Sequence, residues 1–335
     1  MKDMREIIYS LPEQIEESIG LFNYAWSNCL DKKFLSRKFE RVLICGMGGS
    51  GVSGDIVSIL YPELNIIVNK DYQIPDYVDK RTLGILVSYS GNTEETLNNY
   101  NLLNEKGIPV VTISSNGRLL NSRSSLKIQI PAGFPPRGAL GYLFTPIPLL
   151  LYHTNLIKRE PRNQFKKLSV FLKKQAGKIE RRAKILTELF ISKLPIIYAN
   201  SNATGVIARR WQCQLNENAK ILCHTNIIPE MNHNEIVGLG KPERINKDLI
   251  VIFINDPNAL ERNRLRVKII KEIIQREIKP LKSIEIKPSG GNLLEQVFST
   301  IMLGDFLSYH LALRTGIDPL PVKRIDYLKR SLSKS

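Results

Sequence analysis

Cysteine is scarce in this sequence, and the cysteines that are present are not paired. The 335 residues include four of them, none in a CxxC pair: Cys29, Cys45, Cys213 and Cys223. Redox-active dithiols and cysteine-based zinc sites need closely spaced cysteines, and disulfide-stabilised secreted domains need many of them. We therefore predict a reduced, cytoplasmic protein without a cysteine–metal site.

Long apolar runs are also missing. No run approaches the roughly 18 residues that a membrane-spanning helix needs. Residues 1–6, MKDMRE, lack the apolar core of a secretory signal. The composition, 43% hydrophobic and 24% charged, is not that of a disordered chain. The sequence thus predicts a globular protein that does not associate with membranes, and its length predicts two domains.

The excess of positive charge lies in one half of the chain. The net charge is +16, yet residues 1–150 contain 15 basic and 15 acidic side chains, so the whole excess lies in residues 151–335. Segment 158–184 alone holds 11 basic and two acidic residues. Such a segment can bind nucleic acid, or it can be the solvated face of a helix. Because it has no Gly-rich RNA-binding signature, we interpret it as a solvated helix and predict no nucleic-acid partner.

Short apolar runs alternate with helical stretches in both halves of the chain, which is typical of α/β folds. Strands are predicted at 41–45, 66–69, 83–87, 110–113, 126–130, 196–199, 220–223, 249–254 and 283–286. Helices are predicted at 51–61, 93–106, 160–192, 203–217, 258–278, 292–314 and 323–333. We expect two tandem domains, residues 1–155 and 156–335, each a parallel sheet flanked by helices.

A glycine-rich turn follows the first predicted strand. Residues 46–54 read GMGGSGVSG and lead into a helix. Glycines let backbone N–H groups approach an anion, and the helix N-terminus adds partial positive charge. The string also satisfies the dinucleotide-binding pattern GxGxxG, which needs an acidic ribose ligand about 20 residues later. Asp71, just beyond the second predicted strand, matches that position only loosely.

A second loop favours a phosphate monoester over a dinucleotide. Residues 88–96 read SYSGNTEET, in which Ser88, Ser90 and Thr93 place three hydroxyls at a strand-to-helix junction. Neutral hydroxyl donors together with backbone N–H groups suit a phosphomonoester. The alternative is an ordinary Ser/Thr helix cap, but a cap needs one hydroxyl and this loop supplies three. We therefore expect this loop to bind phosphate.

The two loops together resemble the sugar isomerase (SIS) domain. GGSG at 48–51, followed by SxSGxTxE at 88–95, is similar to the pattern of that domain. The resemblance implies that a phosphosugar binds at the carboxyl ends of parallel strands. The matching positions are Gly49, Ser50, Ser88, Ser90 and Thr93.

Four further segments resemble one isomerase family in particular. They read FPPRGALGY at 134–142, RRWQCQLNENAK at 209–220, PEMNHNEIVG at 229–238 and DPLPVKRIDYLK at 318–329. In this order they are similar to the bifunctional phosphoglucose/phosphomannose isomerases. The resemblance implies two SIS domains and an aldose–ketose isomerase that interconverts glucose 6-phosphate, or mannose 6-phosphate, with fructose 6-phosphate through an enediol. It implies neither a metal nor another cofactor.

The same resemblance assigns roles to four residues. Glu217 matches the carboxylate that carries a proton between C1 and C2, and Arg137 matches the cation that stabilises the developing enediolate. His233 matches the ring-opening histidine, which the resemblance implies is supplied by the neighbouring subunit of a homodimer. Lys329 matches the C-terminal lysine of the family. Without the resemblance, Glu217 could be an exposed helix-end carboxylate, Arg137 part of a surface ion pair, and Lys329 a solvated lysine.

A non-catalytic phosphosugar sensor is the main alternative, because SIS domains also occur in transcriptional regulators. A sensor needs a DNA-binding module, for which residues 1–40 are too short, and only the basic segment 158–184 supports it. An aminosugar isomerase is a third hypothesis, but no glutaminase domain is present to supply ammonia. The other histidines offer no clear competitor to His233: His153 and His310 lie among apolar residues, which favours structural roles, and His224 stays open.

Overall fold

The computed structural model describes residues 3–332, which divide into two compact units. The first unit contains the chain up to Gln175 and the short segment Asn292–Glu295. The second unit contains Ala176–Gly291 and the chain from Gln296 onward. The division falls within a long helix, whereas the sequence predicts a domain boundary after residue 155. No helix among the described residues is long and apolar enough to cross a membrane.

Strands and helices alternate along the chain. The strands are β1 (Arg41–Cys45), β2 (Ile66–Asn69), β3 (Thr82–Val87), β4 (Val110–Ser114), β5 (Leu126–Gln129), β6 (Leu194–Ala199), β7 (His224–Ile227), β8 (Leu249–Ile254) and β9 (Lys282–Ile286). The α-helices are α1 (Met4–Tyr9), α2 (Leu11–Asn28), α3 (Gly48–Leu60), α4 (Glu94–Glu105), α5 (Gly117–Asn121), α6 (Leu140–Phe144), α7 (Pro146–His153), α8 (Arg162–Phe190), α9 (Asn202–Gln214), α10 (Glu235–Gly238), α11 (Glu261–Glu277), α12 (Leu293–Arg314) and α13 (Lys323–Leu332).

The first unit is built on a five-stranded parallel sheet with the order β2-β1-β3-β4-β5. Strands β3 and β4 are buried along their full length, as expected for apolar runs covered on both faces. One core cluster packs strand side chains against α4 and the neighbouring loops. Its buried members are Leu43, Cys45, Ile74, Val78, Leu86, Leu103, Ile108, Val110 and Leu119.

The second unit is built on a four-stranded parallel sheet with the order β7-β6-β8-β9. Its strands follow the same spatial order as the first four strands of the other sheet, so the chain uses one topology twice. A core cluster joins β6 and β8 to α11. Its buried members are Tyr198, Ile228, Met231, Leu249, Val251, Phe253, Val267, Ile270, Ile274, Ile278 and Leu281. The predicted α/β class with parallel sheets flanked by helices is confirmed.

One predicted strand is wrong. The sequence predicts a strand at 220–223, but the strand is β7, which begins at His224. Lys220 has a φ of 58°, a left-handed conformation that is incompatible with an extended strand. β7 lies at the edge of its sheet and has no fully buried residue. Its sequence HTNI therefore lacks the apolar run by which a strand is predicted.

The basic segment lies largely in α8. Buried Phe165, Leu168 and Leu172 recur at helical spacing along one face, whereas Lys166 and Lys167 are exposed. The lysines therefore form the solvated face of an amphipathic helix, which is the arrangement that the sequence predicts.

Candidate active site

A glycine turn connects β1 to α3 at the carboxyl edge of the first sheet. A Cβ atom at Gly46 would lie 2.8 Å from the Val87 carbonyl oxygen, so only glycine fits between the ends of β1 and β3. Gly48, the first residue of α3, has a φ of +50°. The N-terminus of a 13-residue helix thus lies at this edge, where its partial positive charge favours an anion.

The loop after β3 holds the three predicted hydroxyls. The Ser88 and Thr93 hydroxyl oxygens are 2.8 Å apart, and the Ser90 hydroxyl accepts a hydrogen bond from the backbone N–H of Asn92 at 3.3 Å. Thr93 is the N-cap residue of α4, but within residues 3–332 its hydroxyl makes no capping hydrogen bond. Helix capping therefore does not account for the Thr93 hydroxyl. This observation favours the phosphate hypothesis over the capping alternative.

Arg137 lies beside the glycine turn. It belongs to a short 3-10 turn, Pro136–Gly138, and a Cβ atom at Gly49 would lie 3.3 Å from the Arg137 Cα. Arg137 is 2% exposed, so it is not part of a surface ion pair. A buried guanidinium next to the turn can stabilise negative charge more strongly than one in water.

Lys70 is a second cation at this edge, and the sequence reasoning missed it. It directly follows β2, the neighbour of β1, and forms an ion pair with Asp55 of α3 at 2.5 Å. Its Cε lies 3.0 Å from the position that a Cβ atom would take at Gly51. The sequence feature that could have identified Lys70 is its position as a charged residue directly after a predicted strand. Lys70 thus lies near the segments that carry the predicted site residues of the first unit. These segments are adjacent, and the residues are Gly49, Ser50, Ser88, Ser90, Thr93 and Arg137.

In the second unit, Glu217 lies in a π-helical turn, Leu215–Ala219, that continues α9. Single π turns within helices are rare and occur often at functional sites. The turn ends at Lys220, whose ammonium group donates to the carbonyl oxygens of Glu217 and Pro319. Glu217 is half-buried rather than fully exposed. The backbone at Glu217 is therefore held in a defined local structure, which the sequence describes only as the end of a helix.

Buried polar contacts hold this turn against α12. Asn218 donates a hydrogen bond to the Ser308 hydroxyl at 3.0 Å. Earlier in the same two helices, the Arg210 guanidinium of α9 binds both carboxylate oxygens of Asp305 of α12, at 3.1 and 2.9 Å. The Arg210 and Asp305 side chains are 1% and 8% exposed. Breaking a buried ion pair costs about 3–5 kcal/mol, so this contact fixes α9 and the turn that follows it.

His233 ends a 3-10 turn, Glu230–His233, and is exposed. Two residues before it, Met231 is fully buried in the core of the second unit. Two residues after it, Glu235 begins α10 and is held by side chains of β6 and β7. The imidazole therefore lies between two fixed points of the same loop.

The Glu235 carboxylate accepts three side-chain hydrogen bonds. The Tyr198 hydroxyl donates to Oε1 at 2.6 Å, while Asn226 Nδ2 and His224 Nε2 lie 2.7 and 3.0 Å from Oε2. Burial raises the pKa of a carboxyl group, but these hydrogen bonds outweigh it, so the pKa of Glu235 lies below its ordinary value. Burial, together with the bond to Glu235, raises the pKa of the Tyr198 hydroxyl. Glu235 is therefore a carboxylate at neutral pH.

The remaining predicted residues lie elsewhere in the second unit. Lys329 is exposed on α13, all of whose residues are described and none of which is buried. Glu217, His233 and Lys329 thus lie on three separate elements. His310 contacts Glu180 at 3.1 Å with both side chains largely buried, which agrees with the structural role predicted for it. Among the described residues, no three His, Cys, Asp or Glu side chains are grouped so that they could hold a metal ion.

Comparisons with known proteins show which family the chain is similar to. A model described as the bacterial phospho-glucose isomerase C-terminal SIS domain matches residues 171–332. A bifunctional phosphoglucose/phosphomannose isomerase of Caldicellulosiruptor bescii is 36% identical, over 99% of this chain and 99% of that protein. One of the same name from Thermoplasma acidophilum is 35% identical, over 90% of this chain and 93% of that protein.

Solved structures show a similar fold. The C-terminal domain of glucosamine-fructose-6-phosphate aminotransferase from Francisella tularensis superimposes with a TM-score of 0.72 at 18% identity. The match covers 95% of this chain and 98% of that one. From the extent and identity of these sequence matches, the chain belongs to the bifunctional phosphoglucose/phosphomannose isomerase family.

Proposed function

We propose that this protein interconverts glucose 6-phosphate and mannose 6-phosphate with fructose 6-phosphate through an enediol intermediate. Family membership along nearly the whole chain carries this proposal, because relatives at 36% and 35% identity bear the name of that activity. The paired Ser88 and Thr93 hydroxyls beside the glycine turn support it. The non-catalytic sensor is not favoured, since these relatives are named as enzymes.

The first unit binds the phosphate group in this proposal. The Ser88, Ser90 and Thr93 hydroxyls donate to phosphate oxygens, and the backbone at Gly49 and Ser50 adds N–H donors from the start of α3. Hydrogen bonds to a charged group are each worth about 1.5–3 kcal/mol, so a few of them anchor the substrate.

The proposed acid–base steps belong mainly to the second unit. Glu217 takes the proton from C2 of the open-chain aldose and returns it to C1, and His233 assists ring opening at the ring oxygen. Arg137 stabilises the negative charge that develops on the enediolate oxygens. Lys329 is proposed as a further cation toward the substrate oxygens. No step requires a metal ion or another cofactor.

We also propose a homodimer in which one subunit supplies His233 to the site of the other. His233 is exposed, and apolar side chains near it in sequence are exposed too: Val237 is 84% and Leu222 is 78% exposed. Exposed apolar side chains can contribute to an interface with another chain.

A coupled assay with purified protein tests the activity directly. Glucose 6-phosphate, mannose 6-phosphate and fructose 6-phosphate are supplied separately, with EDTA present throughout. We expect turnover of all three, because side chains supply every acid, base and cation. Loss of turnover in EDTA with recovery on adding zinc would refute the metal-free mechanism. Tight binding of these sugar phosphates without turnover would support the sensor alternative.

A further inference from the structure

Glu235 joins the loop that carries His233 to the edge of the second sheet. Its hydrogen-bond partners come from two adjacent parallel strands, Tyr198 from β6 and His224 and Asn226 from β7. Tyr198 pairs with Asn226 in the strand register, and His224 lies two residues before Asn226, so the three side chains share one face of the sheet. One carboxylate therefore fastens the loop to a rigid surface at three points.

The opposite side of His233 is fixed by different chemistry. Met231 is buried in the core cluster, and the backbone N–H of Asn232 donates to the Pro229 carbonyl oxygen at 2.9 Å. Between Met231 and Glu235 the chain has only three residues, and His233 is the middle one. Because so short a segment has little slack, its imidazole direction depends on both ends. Without the Glu235 contacts, the part of the loop after His233 would keep the packing of Ile236 and Leu239 against the core cluster but would lose its polar attachment to the edge of the sheet.

We propose that Glu235 is a positioning residue for His233, holding the imidazole in the orientation that ring opening needs. This inference rests on the proposed function, in which His233 acts on the sugar ring. Glu235 acts here through its hydrogen-bond geometry, and it exchanges no proton with the substrate. A displacement of about 1 Å in a catalytic group can cost roughly 100-fold in rate, so three hydrogen bonds at this position have a large effect.

The Glu235→Ala and Glu235→Gln variants distinguish geometry from charge. Alanine removes all three contacts. Glutamine, with its amide oxygen facing Asn226 and His224 and its NH₂ group facing the Tyr198 hydroxyl, keeps the same three contacts without the charge. We expect kcat to fall about tenfold to 100-fold in Glu235→Ala with little change in KM, and to recover to within a few-fold in Glu235→Gln. Equal losses in both variants would show that the charge is required and would overturn the proposal.

A double-mutant cycle separates positioning from general stability. If Glu235 acts through His233, then Glu235→Ala lowers kcat in the wild-type background and has almost no effect in the His233→Ala background. An equal loss in both backgrounds would overturn the proposal. The Glu243→Gln variant is the control, because it removes an exposed, ion-paired carboxylate of the same unit that has no contact with Glu235 or its partners.

Two measurements keep the result clear if Glu235→Ala folds poorly or the wild type lacks isomerase activity. Tyr198→Phe removes a single hydroxyl donor and should lower kcat in the same background-dependent way. Amide hydrogen exchange across residues 229–238 should rise in Glu235→Ala and stay unchanged in Glu243→Gln. Unchanged exchange would refute the anchoring itself, whereas an inactive wild type with anchored exchange would refute only the proposed activity.

Discussion

Glu217 is the residue at which the proposed proton transfer is tested most directly. Glutamine keeps the shape of the side chain and removes its basicity, so Glu217→Gln should lower kcat by about 10²–10⁴-fold. KM should change little, because the phosphate contacts lie in the first unit, and this pattern marks an interaction made only in the transition state. Solvent exchange of the C2 hydrogen, followed by NMR, should disappear in parallel. A near-native kcat would assign the proton transfer to another group.

The grouping of several candidate residues could be predicted from the sequence, whereas other features of the site depend on contacts that a sequence does not show. Ser88, Ser90 and Thr93 stand together in a motif, so their proximity follows from chain order alone. The burial of Arg137 does not follow from chain order, because arginine is usually exposed and only the surrounding elements bury it. Glu235 was missed because its partners Tyr198 and Asn226 come from strands that only the fold brings beside it.

At the scale of elements, the loop between β3 and α4 carries the phosphate hypothesis. In Ser88→Ala/Thr93→Ala, each lost hydrogen bond to the dianion removes about 1.5–3 kcal/mol, so KM should rise by at least about 100-fold. A matched control is Ser58→Ala/Ser122→Ala, which removes two hydroxyls that donate to backbone carbonyls within three residues. The measurement is steady-state kinetics of both double variants. An unchanged KM in the first would mean that the phosphate binds elsewhere.

The strands could be predicted where both faces of the strand are buried. β1, β3, β4 and β8 are apolar runs, and the sequence predicts each of them within one residue of its bounds. The sequence predicts β7 four residues too early, since an edge strand needs no apolar face and the apolar residues before it lie in an irregular segment instead. The π turn had no sequence signal either, because its residues are compatible with an ordinary helix end.

At the scale of the whole molecule, subunit mixing tests the proposed shared site. Glu217→Gln and His233→Ala subunits each have strongly reduced activity in this proposal, but a hybrid dimer holds one intact pair. An equal mixture after subunit exchange should regain about a quarter of wild-type activity, since half of the dimers are hybrids and each has one intact site. Exchange is verified by native mass spectrometry of differently tagged subunits. No recovery in verified hybrids would place both groups in one chain.

The π turn at Leu215–Ala219 limits how this protein can evolve. A π turn contains one residue more than the α-helical turn it replaces, and one residue corresponds to about 100° of rotation around a helix axis. The direction of the Glu217 side chain is therefore set by the number of residues in the turn as well as by their identity. Substitutions can tune this carboxylate, whereas an insertion or deletion here would turn it to another side of the helix in a single step.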